Sequence, residues 1–187
     1  MDYVIPAPEQ VSVAVVGETA RYPVRRIFCV GRNYVAHIRE MGGDERDPPF
    51  YFCKPADAIV PTGGTIDYPP QTNNFHYEME LVAAIGKGGA NISEADALDH
   101  VYGYATGFDM TRRDVQIAHR EKGRPWDMGK GFDESAPCGD IHPVSEVGHF
   151  PEGNIWLKVN GETKQDSDLK LMIWNLQETI ANLSGLV

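Results

Sequence analysis

Glu78 and Glu80 stand two residues apart in HYEMELVAAIG, residues 76–86, with His76 two places ahead of them. Side chains alternate across a strand, so His76, Glu78 and Glu80 share one side and Tyr77, Met79 and Leu81 the other. A half-exposed strand would keep its wet side polar, yet this side continues with Val82 and Ala84. The two carboxylates therefore stand at the edge of a buried region, where an acid needs a cation or a proton. Hard divalent cations take oxygen ligands, and Mg2+ combines a few carboxylates with several waters. Asp109, where YATGF gives way to a helical stretch, is the candidate third donor. The same position also suits an ordinary helix cap.

A second set of residues could move protons or hold an anion. His37 and Glu40 lie three apart on a short predicted helix and can touch. A carboxylate that orients a histidine makes a general base able to activate water. The pair is equally a surface contact worth a few tenths of a kcal/mol. Arg112, Arg113 and Gln116 follow Asp109 closely, and Lys130 lies between glycines in RPWDMGKGFDESAPCG. A lysine in such a turn-rich stretch can reach into a cleft or remain a solvated loop charge. His76 reads as a supporting neighbour, and His119 and His142 as structural.

These groups must be positioned by short elements. QVSVAVVG (10–17) alternates like a strand, and RRIFCVGRN (25–33) is an apolar run broken at Gly31. YVAHIREMGG (34–43) reads as a short helix closed by glycines. DERDPPFYFCKPADAIVP is proline-punctuated extended chain. ISEADALDH (92–100) is a helix candidate with Ser93 as its cap. VYGYATGFD (101–109) is strand-like, and MTRRDVQIAHREKG (110–123) is helical up to Gly123. Asn160-Gly161 between two runs signals a hairpin. Over 168–185, Leu169, Met172, Ile173, Leu176, Ile180 and Leu183 fall on one face of a single predicted helix. Many short strands with few helices imply an α+β fold dominated by β-structure.

The bulk composition narrows the function. The chain has 187 residues, 42% hydrophobic and 24% charged, which suits one globular domain with a real core. A net charge of −10, from 27 acidic and 17 basic residues, argues against nucleic acid as partner. It leaves open an anionic small molecule held at a locally basic or metal-bearing site. No apolar run approaches the ~20 residues of a membrane span, and the start carries no signal-peptide pattern. Cys29, Cys53 and Cys138 are odd in number and widely spaced, as expected of free thiols in the cytoplasm. No phosphate-binding glycine motif supports a nucleotide site.

VGRNYVAHIREMG, FCKPADAIVP, HYEMELVAAIGKGG, DHVYGYATGFDMTRRDVQ and GRPWDMGKGFDESAPCGDI, in that order, resemble the fumarylacetoacetate hydrolase family. The E-x-E-L and G-x-D-x-[TS]-x-R-D elements together are specific to it. FYFCKPADAIVP and HVYGYATGFDMTRRDVQ are most similar to its short bacterial acylpyruvate hydrolases. The resemblance runs from about Arg25 to the end, leaving residues 1–24 as an N-terminal extension and 25–187 as the catalytic domain. It implies a β-rich roll with mixed sheets that forms homodimers. It further implies Glu78, Glu80 and Asp109 as Mg2+ or Mn2+ ligands, and His37 and Glu40 as a water-activating dyad on a lid helix. Lys130 would be the electrophilic lysine, with Arg32, Lys54, Arg113 and Gln116 lining the substrate site. The implied reaction is hydrolysis of a C–C bond in a 2,4-dioxo acid, with 3-fumarylpyruvate giving fumarate and pyruvate in aromatic catabolism. Oxaloacetate decarboxylation and isomerisation of a 2-oxo diacid are alternatives within the family. The family pattern P-G-D-x-[IV]-x-T-G-T-P-x-G-V does not occur, so a truncated domain acting as an inactive scaffold is a further alternative.

Overall fold

A computed structural model describes residues 2–34 and 47–187. The helix expected over 34–43, with His37 and Glu40, lies outside the described residues but for Tyr34. Among the described residues no helix is long and apolar enough to cross a membrane.

The first two strands, β1 (Ser12–Ala14) and β2 (Arg21–Pro23), pair antiparallel, as do β3 (Ile27–Gly31) and β4 (Phe50–Lys54). A short strand, β5 (Ile59–Pro61), follows, then β6 (Phe75–His76) and β7 (Met79–Ile85). The long strand β8 (Val101–Phe108) pairs antiparallel with β7, placing Glu80 opposite Gly107. Next, β9 (Thr111–Arg112) pairs with β6 and leads into helix α1 (Arg113–Glu121) and the short helix α2 (Asp127–Lys130). Strands β10 (Ala136–Cys138) and β11 (His142–Pro143) both join β8, and β10 carries β5 parallel to it. The result is a five-stranded mixed sheet. Helix α3 (Val144–Val147), the hairpin β12 (Asn154–Val159) and β13 (Glu162–Asp168), and helix α4 (Leu176–Ser184) complete the chain. The β-rich α+β architecture expected from the sequence is what the structure has.

Both faces of β7 and β8 carry core contacts, which explains the apolar run after Glu80. Ala84 and Ala105 join Val13, Val15, Val24 and Ile141 in one core. Leu81 and Ala83 pack on the other face against Ala97, Val101, Tyr104 and Ile180. Val13, Val15 and Val24, which precede Arg25, belong to this core, so the β1–β2 hairpin packs against the sheet. Gly103 lets β11 approach β8, since a Cβ there would lie 2.5 Å from the His142 carbonyl oxygen.

Three expected helices are shorter than their patterns. Helix α1 begins at Arg113 because Thr111 and Arg112 are spent in pairing with Phe75 and His76. Over 92–100 only Ala97–His100 forms a 3-10 turn, although Ser93 does bond the Asp96 backbone amide and carboxylate. The single helix expected over 168–185 is broken. Leu169–Leu171 is a 3-10 turn, and Asn33 then takes up the backbone of the next residues. Its carbonyl accepts from Ile173 N (2.9 Å), and its side chain exchanges two 2.9 Å bonds with the Trp174 backbone. Helix α4 can start only after this clamp. It does so with a reciprocal cap: Asn175 Oδ1 accepts from Glu178 N and Glu178 accepts from Asn175 N, each at 2.9 Å.

The hairpin signal is realised as written. Asn160 (φ 51°) and Gly161 (φ 84°) both take the left-handed conformation of a tight β12–β13 turn. From β13, the Gln165 side chain accepts from Met79 N (2.8 Å) and donates to the Tyr77 carbonyl (3.3 Å), spanning the interruption between β6 and β7.

Replacing Asn175 by Ala removes the α4 cap and is expected to lower stability by about 1 kcal/mol. Equilibrium urea unfolding measures it; an unchanged midpoint would contradict the role of the cap.

Candidate active site

The pairing of β7 with β8 continues one step beyond the strands. Asp109 N donates to the Glu78 carbonyl at 2.9 Å, so Glu78 and Asp109 stand side by side on adjacent chain segments. Glu80 follows on the side of Glu78, opposite Gly107, which contributes no side chain. The period-two pattern thus brings three acids from two segments to one end of the sheet.

Cations from three further places meet them. Lys130, on the last turn of α2, donates from Nζ to Glu78 Oε2 (2.8 Å) and Asp109 Oδ2 (2.5 Å). Lys54, at the end of β4, donates to the Met110 carbonyl (3.1 Å) and to the Lys130 carbonyl. It also forms an ion pair with Asp109 Oδ1 at 3.0 Å. Arg113, the first residue of α1, donates to Glu78 Oε1, to Gln116 Oε1 (3.1 Å) and, from Nε, to His76 Nδ1 at 3.5 Å. His76 is therefore an acceptor toward Arg113 and bonds Asn74 Oδ1 (2.7 Å) through its other nitrogen. Lys54, Lys130 and Gln116 are each only 3% exposed and Asp109 6%, so this is an interior cluster. The close approach of α2 to α1 depends on Gly129, where a Cβ would lie 2.8 Å from Gln116 Cβ.

Burial governs the acidities. Desolvation, with the Asp109 charge second, pushes the Glu80 carboxyl up to about 7, and Lys130 offsets only part of this. Burial lowers both Lys54 and Lys130, and in each case Asp109 opposes the shift. His76 is lowered by burial and then by Arg113 and Lys130, which favours its neutral form. Cys29 is pushed up to about 12 by burial, with Asp109 adding to it.

A cavity of about 340 Å³ opens beside the cluster, with Lys54, Glu80, Asp109, Cys29, Tyr34 and Ile180 among its walls. No local pattern signals Cys29 at this wall; it stands opposite Phe52 in the β3–β4 pairing. Arg32 is not on that wall. It is exposed, with φ 58°, and its guanidinium lies over the Phe50 ring at 5.7 Å.

Oxygen donors alone suit Mg2+ or Mn2+. Two observations fit such an ion. Asp109 Oδ1 is buried with the Lys54 ammonium at 3.0 Å as its partner, and burial with the Asp109 charge beside it disfavours the ionised form of Glu80 unless a further cation is near. Among the described residues no three acids are already gathered as a ligand cage; Lys130 Nζ occupies the approach between Glu78 and Asp109.

The model of the fumarylacetoacetate (FAA) hydrolase C-terminal domain matches residues 26–187. The chain belongs to the fumarylacetoacetate hydrolase family. Among curated members of the family, fumarylpyruvate hydrolase of Ralstonia sp is 53% identical over 135 residues, which cover 72% of this chain and 70% of that protein. The mitochondrial oxaloacetate tautomerase FAHD1 of Bos taurus is 39% identical over 163 residues, covering 87% and 74%. Among solved structures of the family, fumarylpyruvate hydrolase from Pseudomonas aeruginosa, in complex with Mn2+ and pyruvate, superposes with a TM-score of 0.95. It is 53% identical, and the match covers 100% of this chain and 82% of that one.

The thiols offer a test of the cavity wall. With Cys29 near 12 and Cys138 near 11, fewer than about one in 10² of either is thiolate at pH 8. Exposed Cys53 is expected to react first with a thiol reagent in native protein, and half-buried Cys29 much more slowly. Peptide mapping after brief labelling reads this; modification of Cys29 as early as Cys53 would contradict the raised pKa of the half-buried Cys29 thiol.

Proposed function

We propose that this chain is a metal-dependent hydrolase of acylpyruvates that cleaves 3-fumarylpyruvate to fumarate and pyruvate. The observation that carries the reading is the buried group of Glu78, Glu80 and Asp109 with Lys130, Lys54 and Arg113 around it. The 53% identity to a fumarylpyruvate hydrolase supports the choice of substrate. Glu78, Glu80 and Asp109 would hold Mg2+ or Mn2+. A bound dication would polarise the 2-oxo acid and favour negative charge on it as the bond breaks.

The remaining work falls to side chains. Arg113 and Gln116, joined at 3.1 Å, and Lys54 bind and orient the anionic substrate. His37, oriented by Glu40, takes a proton from the water that attacks the C4 carbonyl; this assignment comes from the family resemblance. The C4 adduct collapses with the C3–C4 electron pair moving onto the pyruvate fragment as its enolate. Lys130 donates a hydrogen bond where that charge develops. Protonation at C3 then gives pyruvate, and the acyl fragment leaves as fumarate. Arg32, exposed over Phe50, stays a weaker candidate for the substrate's outer end.

The FAHD1 relative supports a second reading, tautomerisation of oxaloacetate at the same site, and an oxaloacetate decarboxylase of Dictyostelium discoideum, 34% identical, supports its decarboxylation. Decarboxylation needs no attacking water. Three free cysteines support a reducing, cytoplasmic setting, and the family resemblance supports a homodimer and a place in aromatic catabolism.

His37→Ala is expected to lower kcat for 3-fumarylpyruvate by about 10²–10⁴ while Mn2+ binding is retained. Steady-state assay with Mg2+ or Mn2+, on this substrate and on oxaloacetate, checks both readings. Wild-type turnover in His37→Ala would remove the dyad from the mechanism. Folded, cation-bound protein that turns over neither substrate would overturn the hydrolase reading in favour of a scaffold.

A further inference from the structure

The oxygens proposed to hold a dication already have charged partners. Glu78 Oε1 meets Arg113, and Glu78 Oε2 meets Lys130 at 2.8 Å. Asp109 Oδ2 meets Lys130 at 2.5 Å, and Asp109 Oδ1 meets Lys54 at 3.0 Å. Lys130 alone bridges both acids. Its Nζ takes one oxygen of each acid that an ion bound jointly by Glu78 and Asp109 would use.

We propose that Lys130 is a resident counter-ion competing with the dication, so that metal entry is an exchange in which the ammonium leaves Glu78 and Asp109. The inference rests on the reading of Glu78, Glu80 and Asp109 as cation donors. Three lines lead to it. First, a dication and an ammonium cannot share the same two oxygens at contact distance without strong repulsion in a buried setting. Second, Glu78 and Asp109 are already matched, with Lys54, Lys130 and Arg113 paired to their four oxygens. Two added positive charges leave the group over-positive unless a cation withdraws or an anion arrives. Third, the backbone of Lys130 is held independently of its ammonium. Its amide donates to the Trp126 carbonyl at 3.0 Å and its carbonyl holds Lys54. The ammonium can therefore part from the two acids while these backbone bonds of α2 are kept.

The exchange couples metal to substrate. An ammonium displaced from the two acids is freed beside the cavity, available to an incoming 2-oxo acid, whose carboxylate also restores the charge balance. Metal and oxo acid then strengthen each other's binding, by the same factor in either order.

The test is titration of chelator-stripped protein with Mn2+, followed by calorimetry or by the loss of the free-ion paramagnetic signal. Lys130→Met and Lys130→Gln are expected to bind Mn2+ about tenfold more tightly than wild type, although both lose turnover. Pyruvate is expected to tighten Mn2+ binding more in wild type than in either variant. Because Lys130→Met leaves two buried acids facing each other, the midpoint of thermal unfolding is read alongside: added Mn2+ should raise it more in the variants than in wild type. Equal or weaker Mn2+ affinity in the variants, or an equal or smaller thermal shift, overturns the exchange while leaving the metal site standing. Mn2+ binding to none of the three proteins overturns the metal site as well.

Discussion

The Lys130 ammonium between Glu78 and Asp109 is the contact around which the rest of the molecule is arranged. A buried charge is tolerated only when its partners are close and its remaining hydrogen bonds are satisfied. Here the partners come from four places in the chain: the residue before β7, the residue after β8, the end of α2 and the end of β4. Each element must therefore stop where it does. The Asp109–Glu78 backbone bond carries the pairing one residue beyond β8, the Gly129–Gln116 approach brings α2 against α1, and Lys54 ties β4 to the Met110 and Lys130 carbonyls. Lengthening any one of them would separate a charge from its counter-charge in a medium that does not forgive it.

Much of this was legible in the sequence because it rests on short-range periodicity. The alternation in HYEMELVAAIG fixed the side shared by Glu78 and Glu80, and the apolar continuation announced that both faces of β7 would be covered. Asn160-Gly161 announced its hairpin for the equally local reason that only a few residues accept two left-handed positions in succession. What could not be read depends on distant partners. The long apolar stripe from Leu169 to Leu183 suits one helix, and nothing nearby reveals that Asn33 will take up the backbone at Ile173 and Trp174. The burial of Val13, Val15 and Val24 was equally out of reach, because it comes from Ala84, Ala105 and Ile141, far along the chain. For the same reason Lys54 could be placed at the site by family resemblance but not by spacing, since its ion pair with Asp109 bridges 55 positions.

The acidic composition and the cationic interior are compatible because they concern different parts of the molecule. A net charge of −10 describes the whole chain, most of it solvated. Lys54, Lys130 and Arg113 are withdrawn from solvent to a place where each charge acts at close range. An anionic substrate meets that local field once it reaches the cavity, and salt screens an interior field far less than an exposed one.

Gln165 has a consequence that reaches from the outer hairpin to the acids. Its amide clasps Tyr77 and Met79, the two neighbours of Glu78. Whether it can do so depends on the irregularity between Leu157 and Lys158, which decides which β13 side chains turn inward. Slipping the ribbon by a single position would send Gln165 to the opposite face and unclasp the carboxylate's own stretch of main chain. The hairpin thus serves the chemistry as a ruler: its pairing measures out where Glu78 must stand.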